Sequence, residues 1–253
     1  YAVPSHAMRE TAQRISLDTH PIHITVSKGI ENNTLLRMSE VIKEVNPKST
    51  VVALSGPSHA EEVGRNLPAC LVAASEDENA RTRVQEVFGG PAFRVYTSSD
   101  IIGVELGGAL KNIIAIAAGA CEGFGLGDNA KAALITRGLA EMIRLGTACG
   151  AAATTFSGLS GLGDLVVTCA SHHSRNHRVG LCISQNMTLN DILKSSPKVA
   201  EGIRTTKSAQ LLSQQYNVEM PITKAVYDVL YEKYNAQECI TSLMTRLMCS
   251  EWE

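Results

Sequence analysis

The pattern of apolar residues changes near residue 98, and this change constrains the fold more than any other feature. Before it, short apolar runs rich in β-branched residues alternate with segments of helical periodicity, which predicts a parallel sheet covered by helices on both faces. After it, only helical periodicity remains. The sequence therefore predicts an α/β domain over residues 1–98 and an all-helical domain over residues 99–253.

The predicted elements cover most of the chain. Strands are expected at residues 22–27, 50–55, 69–74 and 93–96, and helices at residues 34–45, 58–65 and 77–88. In the second domain, helices are expected at residues 100–124, 129–145, 176–185, 189–194, 201–215, 222–231 and 237–244. Asp100 is the expected N-cap of the first of these. Residues 1–4 resemble the end of a strand, and no G-x-G-x-x-G turn follows any strand, so we expect a parallel sheet that is incomplete at its start.

Composition argues against several classes of function. A net charge of −2 offers no general attraction for nucleic acid or anionic lipid. The seven cysteines are scattered without a C-x-x-C pair, which indicates reduced thiols and a cytoplasmic protein, and no signal peptide is recognised. The most apolar stretch, residues 101–121, contains Glu105, Lys111 and Asn112, so a buried helix is favoured over a membrane span.

Lys111 lies in the middle of this apolar helix among Gly, Ala and Ile residues. Burial disfavours the charged ammonium and lowers its pKa, and a neutral amine can accept a proton from an alcohol. The alternative is that Lys111 lies at the helix edge and extends to water. Because buried lysines are rare without a partner, a functional role is favoured, with Asn112 as a second polar group beside it.

Two loops follow predicted strands, at the edge where open α/β sheets bind ligands. Lys28 follows the first strand and would direct a positive charge to this edge. Gly56 and Ser58 follow the second strand, where backbone N–H groups could contact an anion. On position alone the structural alternatives are favoured: a solvated Lys28, and a capping box formed by Ser58 and Glu61.

A glycine-rich segment, residues 158–163, precedes Asp164. Its G-x-x-G-x-G spacing and the lack of a preceding strand exclude a Rossmann or Walker loop. The segment predicts a bend between helices, and Asp164 is favoured as the N-cap of a helix that begins at Leu165. The functional alternative is that Asp164 orients or charges Lys111.

Residues 171–178 contain three histidines and two arginines but no acidic residue. Arg175, at a predicted helix start beside Ser174 and Asn176, would suit a phosphate or another oxyanion. Ligand-like spacing for a metal is present among Cys169, His172, His173 and His177. Because adjacent cations oppose a metal, an oxyanion site is favoured first, a solvated loop second and a metal site last.

Six segments occur in an order and at separations that resemble one family: SKG at 27–29, SGPSHA at 55–60, ELGGALKNIIAIAAG at 105–119, GLSGLGDL at 158–165, SRN at 174–176 and VAEG at 199–202. Together they resemble the NAD(P)-dependent glycerol-3-phosphate dehydrogenases of the bacterial type. The LKN helix and the GLGDL–SRN pair are specific in combination. The resemblance implies a partial Rossmann-type parallel sheet in the first domain, a helical second domain of the 6-phosphogluconate dehydrogenase C-terminal type, and a homodimer.

The resemblance also implies the reaction and its residues. The enzyme would interconvert glycerol 3-phosphate and dihydroxyacetone phosphate with NAD(P), supplying glycerol 3-phosphate for phospholipid synthesis. Lys111 would take the proton of the C2 hydroxyl, with Asp164 beside it. Substrate contacts would come from Lys28, Gly56, Ser58, Lys111, Asn112, Asp164, Thr168, Ser174, Arg175 and Asn176. Cofactor contacts would come from Lys28, Ala60, Arg175, Val199 and Glu201, and no metal is implied.

Family members begin with a strand and a G-x-G-x-x-G turn that holds the cofactor pyrophosphate, and this segment is not in the sequence. We therefore expect an enzyme whose main cofactor cradle lies outside these residues, and weak NAD(P) binding and little activity by this chain alone. Two alternatives stay open. One is a related hydroxy-acid dehydrogenase whose SRN patch binds a carboxylate, and the other is a cofactor-free binding or dimerisation module.

Overall fold

The computed structural model describes residues 1–15, 21–195, 200–248 and 250–251. The described part of the first hundred residues builds one sheet, in the order β1-β2-β3-β4. Its strands are Ile22–Thr25 (β1), Thr50–Ser55 (β2), Ala69–Ala74 (β3) and Phe93–Ser98 (β4). The helices are Met8–Gln13 (α1), Met38–Val45 (α2), Ala60–Val63 (α3) and Glu78–Phe88 (α4), with a 3-10 turn at Ser5–Ala7.

The sheet is rich in parallel pairs, as predicted. β1 pairs with β2 and β3 with β4 in parallel, but β2 and β3 are antiparallel, with Leu54 opposite Ala73. The connection between β2 and β3 explains this one departure. α3 has only four residues, about 6 Å of helix, which is too short to carry the chain back across the sheet as a parallel connection requires.

Three local predictions in this part need correction. Residues 1–4 are not a strand, although Tyr1 runs beside β1, donating to Ile24 O at 2.6 Å and accepting from Val26 N at 2.9 Å. The helix expected from residue 34 begins at Met38, because Leu35 has a φ of 61°, which no α-helix contains. The helix expected at 58–65 is reduced to α3.

Beyond Ser98 the described residues form helices and no strand. The long helices are Ile101–Gly123 (α5) and Gly127–Ala148 (α6). Shorter ones follow at Ala153–Phe156 (α7), Asp164–Ala170 (α8), Arg175–Ser184 (α9), Leu189–Ser195 (α10), Glu201–Gln215 (α11), Pro221–Tyr231 (α12) and Ala236–Met244 (α13). A π-helical turn, Leu159–Gly163, leads directly into α8.

α5 is the central helix of the second part. As predicted, Asp100 caps it by accepting from Gly103 N at 2.8 Å. Its small residues permit close packing of α9, since a Cβ on Gly119 would lie 1.9 Å from the carbonyl oxygen of His177. α5 is long and apolar enough to cross a membrane, but 89% of its most apolar window is buried inside the protein, so it is a core helix.

Candidate active site

The carboxyl ends of β1 and β2 lie at the same edge of the sheet because the two strands are parallel. Lys28 follows β1 and Gly56 follows β2, and the Lys28 ammonium donates to the Gly56 carbonyl at 3.0 Å. The middle of α5 packs against this edge. A Cβ on Gly108 would lie 2.8 Å from Ser55 Oγ and 3.3 Å from Lys28 Cγ, so only glycine lets the helix approach so closely.

Lys111, in the middle of α5, is buried near this edge of the sheet and has two partners on α8. Its Nζ lies 2.5 Å from Asp164 Oδ1 and 2.5 Å from Thr168 Oγ1. All three side chains are buried. The alternative of an extended, water-exposed Lys111 is wrong, because the amine ends in a polar pocket inside the protein.

Lys28 reaches the same carboxylate from the opposite side. Its Nζ lies 2.6 Å from Asp164 Oδ2, and its side chain is only 22% exposed. The solvated alternative for Lys28 is therefore wrong. Asp164 bridges two lysines with its two oxygens, which leaves this cluster with one positive charge in excess.

The excess charge of the cluster and the burial of its side chains both change the pKa values of Lys111 and Asp164. Burial lowers the pKa of Lys111 to about 8, and the positive charge of Lys28 acts in the same direction, while Asp164 opposes both. Burial by itself would raise the pKa of Asp164, but the charges of Lys28 and Lys111 outweigh it and lower that pKa. The cluster thus holds a stable carboxylate beside an amine that can lose its proton near neutral pH.

Two predicted helix caps are wrong. α8 begins at Asp164 itself, without a side-chain cap, because the carboxylate is occupied by the lysines. α3 begins after His59 without a side-chain cap, and the Ser58 hydroxyl donates to the Gly56 carbonyl at 3.1 Å. Asp164 and Ser58 both lie at the candidate site. Because neither side chain caps a helix, the functional alternative gains support for each of them.

A polar network beside Lys111 positions the start of α9. Asn176 donates to Asn112 Oδ1 at 2.8 Å and accepts from Gly202 N at 2.9 Å, joining α5, α9 and α11. Asn112 in turn donates to Gly108 O at 3.2 Å. These hydrogen bonds therefore hold the N-terminus of α9 at Asn112, the residue that follows Lys111 in α5.

The N-terminus of α9 has the features predicted for an oxyanion site. Ser174 is the N-cap and accepts from His177 N at 3.2 Å, so its helix start is ordered as predicted. Arg175, the first residue of α9, is exposed. An exposed guanidinium next to free helix N–H groups can grip a phosphate with several charge-assisted hydrogen bonds.

The histidines of residues 171–178 do not form a metal site. No group of three or more His, Cys, Asp or Glu suited to a metal occurs among the described residues. The sequence expectation that no acid lies nearby is wrong, because Glu122 at the end of α5 approaches His177 Nε2 at 3.3 Å and Lys131 Nζ at 2.6 Å. Helix packing places Glu122 beside His177, although Glu122 is fifty-five positions earlier in the chain.

Comparison with known proteins identifies the family. Two family models match, NAD-dependent glycerol-3-phosphate dehydrogenase N-terminus over residues 1–81 and C-terminus over residues 100–241. The chain is 50% identical to a glycerol-3-phosphate dehydrogenase [NAD(P)+] of Desulfitobacterium hafniense, over 97% of this chain and 70% of that protein. It is 52% identical to that of Bacillus pumilus, over 100% of this chain and 74% of that protein.

The chain belongs to the NAD-dependent glycerol-3-phosphate dehydrogenase family. A solved structure agrees with the assignment. The crystal structure of glycerol-3-phosphate dehydrogenase from Coxiella burnetii has a TM-score of 0.91 and 38% sequence identity, covering 97% of this chain and 76% of that one. The family resemblance and the fold class predicted from the motifs are therefore confirmed.

The residues that the dehydrogenase family resemblance assigns to the cofactor are spread more widely than those of the lysine cluster. Ala60 is exposed at the start of α3. Glu201, the first residue of α11, accepts from Ser5 N at 3.1 Å and from Ser5 Oγ at 2.6 Å. Val199 lies outside the described residues. The contact of Glu201 with Ser5 was not predicted, because the two residues are 196 positions apart.

Sequence reasoning also missed His59 of this dehydrogenase. Its ring lies in the field of both Lys111 and Asp164, which act on its pKa in opposite directions. The only signal available in the sequence was its position in SGPSHA, two residues before Glu61 of the expected capping box.

Proposed function

We propose that this chain carries the substrate-binding and proton-transfer centre of an enzyme that interconverts sn-glycerol 3-phosphate and dihydroxyacetone phosphate with NAD(P). The observation that carries the proposal is Lys111, a buried amine with a pKa of about 8, held by Asp164 in a cluster with one excess positive charge. Such an amine can exchange a proton with an alcohol, and the excess charge attracts an anionic substrate.

In the oxidation direction, the neutral Lys111 Nζ accepts the proton of the substrate C2 hydroxyl, and in reduction the ammonium returns it to the C2 oxygen. Asp164 stabilises the ammonium that forms, and Thr168 fixes the amine by a hydrogen bond. The nicotinamide, when bound, supplies or accepts the hydride. Lys28, held by the same carboxylate, adds positive charge next to the C2 oxygen as negative charge develops there.

The two ends of the substrate need different environments. We place the phosphate at the N-terminus of α9, where Ser174, Arg175 and Asn176 offer a helix start and a guanidinium. Asn112 links this position to Lys111 through Asn176. The loop of Gly56 and Ser58, beside Lys28, borders the opposite side of the cluster.

The described residues fit the reactive end of a nicotinamide cofactor. Ser55 Oγ, at the carboxyl end of β2, is buried without a hydrogen-bond partner among the described residues, which leaves a polar atom for a bound molecule at the ligand edge of the sheet. The residues that would contribute to holding it are Lys28, Ala60, Arg175 and Glu201, together with Val199, which lies outside the described residues.

We further propose a two-domain division at residues 1–98 and 99–253, a homodimer and a cytoplasmic location.

The reaction is tested with full-length protein, by reducing dihydroxyacetone phosphate with NADH and with NADPH. Turnover with either nucleotide supports the proposal, and no turnover from folded protein with both overturns it. A preference for a non-phosphorylated hydroxy acid would instead identify a related dehydrogenase. Calorimetry of this chain with NADH and glycerol 3-phosphate tests the cofactor-free alternative, which tight cofactor binding would contradict.

A further inference from the structure

Two buried polar atoms near the lysine cluster have no partner within the described residues: Ser55 Oγ, which we assign to the cofactor, and Nε2 of His59. Buried side-chain nitrogens and oxygens in folded proteins are nearly always hydrogen-bonded, and a ring nitrogen left unpaired at a ligand site indicates a group that pairs with the ligand. Lys111, Asp164 and Thr168 satisfy one another, so they do not explain the His59 nitrogen.

The surroundings of the His59 ring come from separate parts of the chain. The residue is the N-cap of α3, on the loop that follows β2, with extended backbone at φ −62° and ψ 128°. Its ring centroid lies 6.1 Å from that of His173, in the loop between α8 and α9. The charges of Lys111 and Asp164 both act on it. His59 therefore lies between the lysine cluster and the segment that leads to the α9 N-terminus.

The surroundings of the ring favour its neutral form. Burial lowers the pKa of His59, and the positive charge of Lys111 lowers it further. Glu62 of α3, Asp164 of α8 and the Val167 backbone act in the opposite direction but do not reverse the shift. A neutral imidazole has one N–H donor and one acceptor nitrogen, and so is matched to a neutral hydroxyl, which can donate or accept.

The oxygens of the proposed substrate can be assigned one by one. The phosphate has Arg175 and the N-terminus of α9, and the C2 oxygen has Lys111. The remaining oxygen is the terminal C1 hydroxyl, an uncharged group close to the C2 position that a neutral hydrogen-bonding group can pair with. Among the described residues beside Lys111, the unpaired Nε2 of His59 has this character.

We propose that Nε2 of His59 hydrogen-bonds the terminal C1 hydroxyl of the three-carbon substrate and makes the enzyme specific for it. This assignment rests on the proposed function and adds a specificity-determining residue to it. A site that hydrogen-bonds a substrate hydroxyl rejects the analogue that lacks it, since the buried partner is then left unpaired.

The test compares two substrates with two enzymes. Dihydroxyacetone phosphate has the C1 hydroxyl, and hydroxyacetone phosphate has a methyl group in its place. His59→Phe should lower kcat/KM for dihydroxyacetone phosphate about tenfold or more, and leave kcat/KM for hydroxyacetone phosphate within about twofold. His59→Gln, which keeps a hydrogen-bonding group, should recover part of the lost preference.

The controls separate this role from others. His6→Phe changes an exposed histidine and should leave both kcat/KM values unchanged. Equal losses with both substrates in His59→Phe would overturn the proposal, because a phosphate contact or a structural role affects both alike. Should His59→Phe fail to fold, His59→Leu takes its place, and an unchanged substrate preference in that variant would overturn the proposal. Wild-type turnover of dihydroxyacetone phosphate tests the proposed function separately.

Discussion

Helix α5 carries two buried charges less than two turns apart, and they serve different purposes. Glu105 accepts from Ser39 N at 2.8 Å, from Ser39 Oγ at 2.6 Å and from Arg37 at 2.5 Å. Arg37 also pairs with Glu40 at 2.8 Å, so one arginine serves two carboxylates in this group, the Glu105 anchor. The anchor ties the start of α2 to α5, and its excess charge is negative, which does not suit an anionic substrate.

The Lys111 cluster differs in the sign of its excess charge. Here two lysines share one carboxylate, so a positive charge remains. Burial raises the pKa of Glu105 and lowers that of Lys111, so desolvation acts on both sites. Burial and pKa shift alone therefore do not separate a structural charge from a functional one. The sign of the excess charge and the position at the ligand edge of the sheet do.

The largest expected effect comes from Lys111→Met. Removing the proton acceptor should lower kcat by about 10³-fold, while Asp164 keeps Lys28 as a partner and the fold is retained. Steady-state kinetics and the Tm measure both effects. Lys224→Met, which removes an exposed lysine of α12, is the matched control and should keep wild-type kcat. A near-normal kcat in Lys111→Met would refute the proton-transfer role.

Asp164→Asn should lower kcat/KM by about 10²-fold, because it leaves two lysines facing each other without the carboxylate that stabilises the ammonium. Asp164 raises the pKa of Lys111, so its loss should also move the midpoint of the pH profile below about 8. A pH–rate profile measures the shift. An unchanged midpoint would show that Asp164 does not control the charge of Lys111.

Glu105→Gln tests the other half of the comparison. It should lower the free energy of unfolding by about 2 kcal/mol, through weakened hydrogen bonds to Arg37 and Ser39, and change kcat by less than about twofold. Glu40→Gln alters the more exposed partner of the same arginine and should cost under about 1 kcal/mol. A large loss of kcat in Glu105→Gln would mean that the anchor takes part in catalysis.

The last prediction concerns the pH dependence of the wild type, without any substitution. Glycerol 3-phosphate oxidation needs the neutral amine, so its kcat/KM should rise about tenfold per pH unit at low pH and level off above about 8. Reduction needs the ammonium, so its kcat/KM should be level at low pH and fall above about 8. Initial rates in both directions measure this pair of profiles. Parallel profiles in the two directions would contradict the assignment.

Elements with a strong local pattern were predicted closely. β2, β3 and α11 have the predicted bounds, because their apolar periodicity and flanking polar residues are present in the sequence itself. α2 and α3 were predicted too long, since the left-handed Leu35 and the short β2–β3 connection depend on the surrounding fold. The antiparallel pairing of β2 with β3 likewise has no local signal.

The amino-acid sequence was sufficient to show an unusual lysine in an apolar helix, a basic segment at a helix start and the motifs of the family. Tertiary structure alone decided which groups lie around Asp164, Lys28 and His59. The reason is the range of the interactions. A helix cap acts over about three residues, whereas Asp164 binds lysines 53 and 136 positions away, and those contacts exist only once the sheet and the helices have packed.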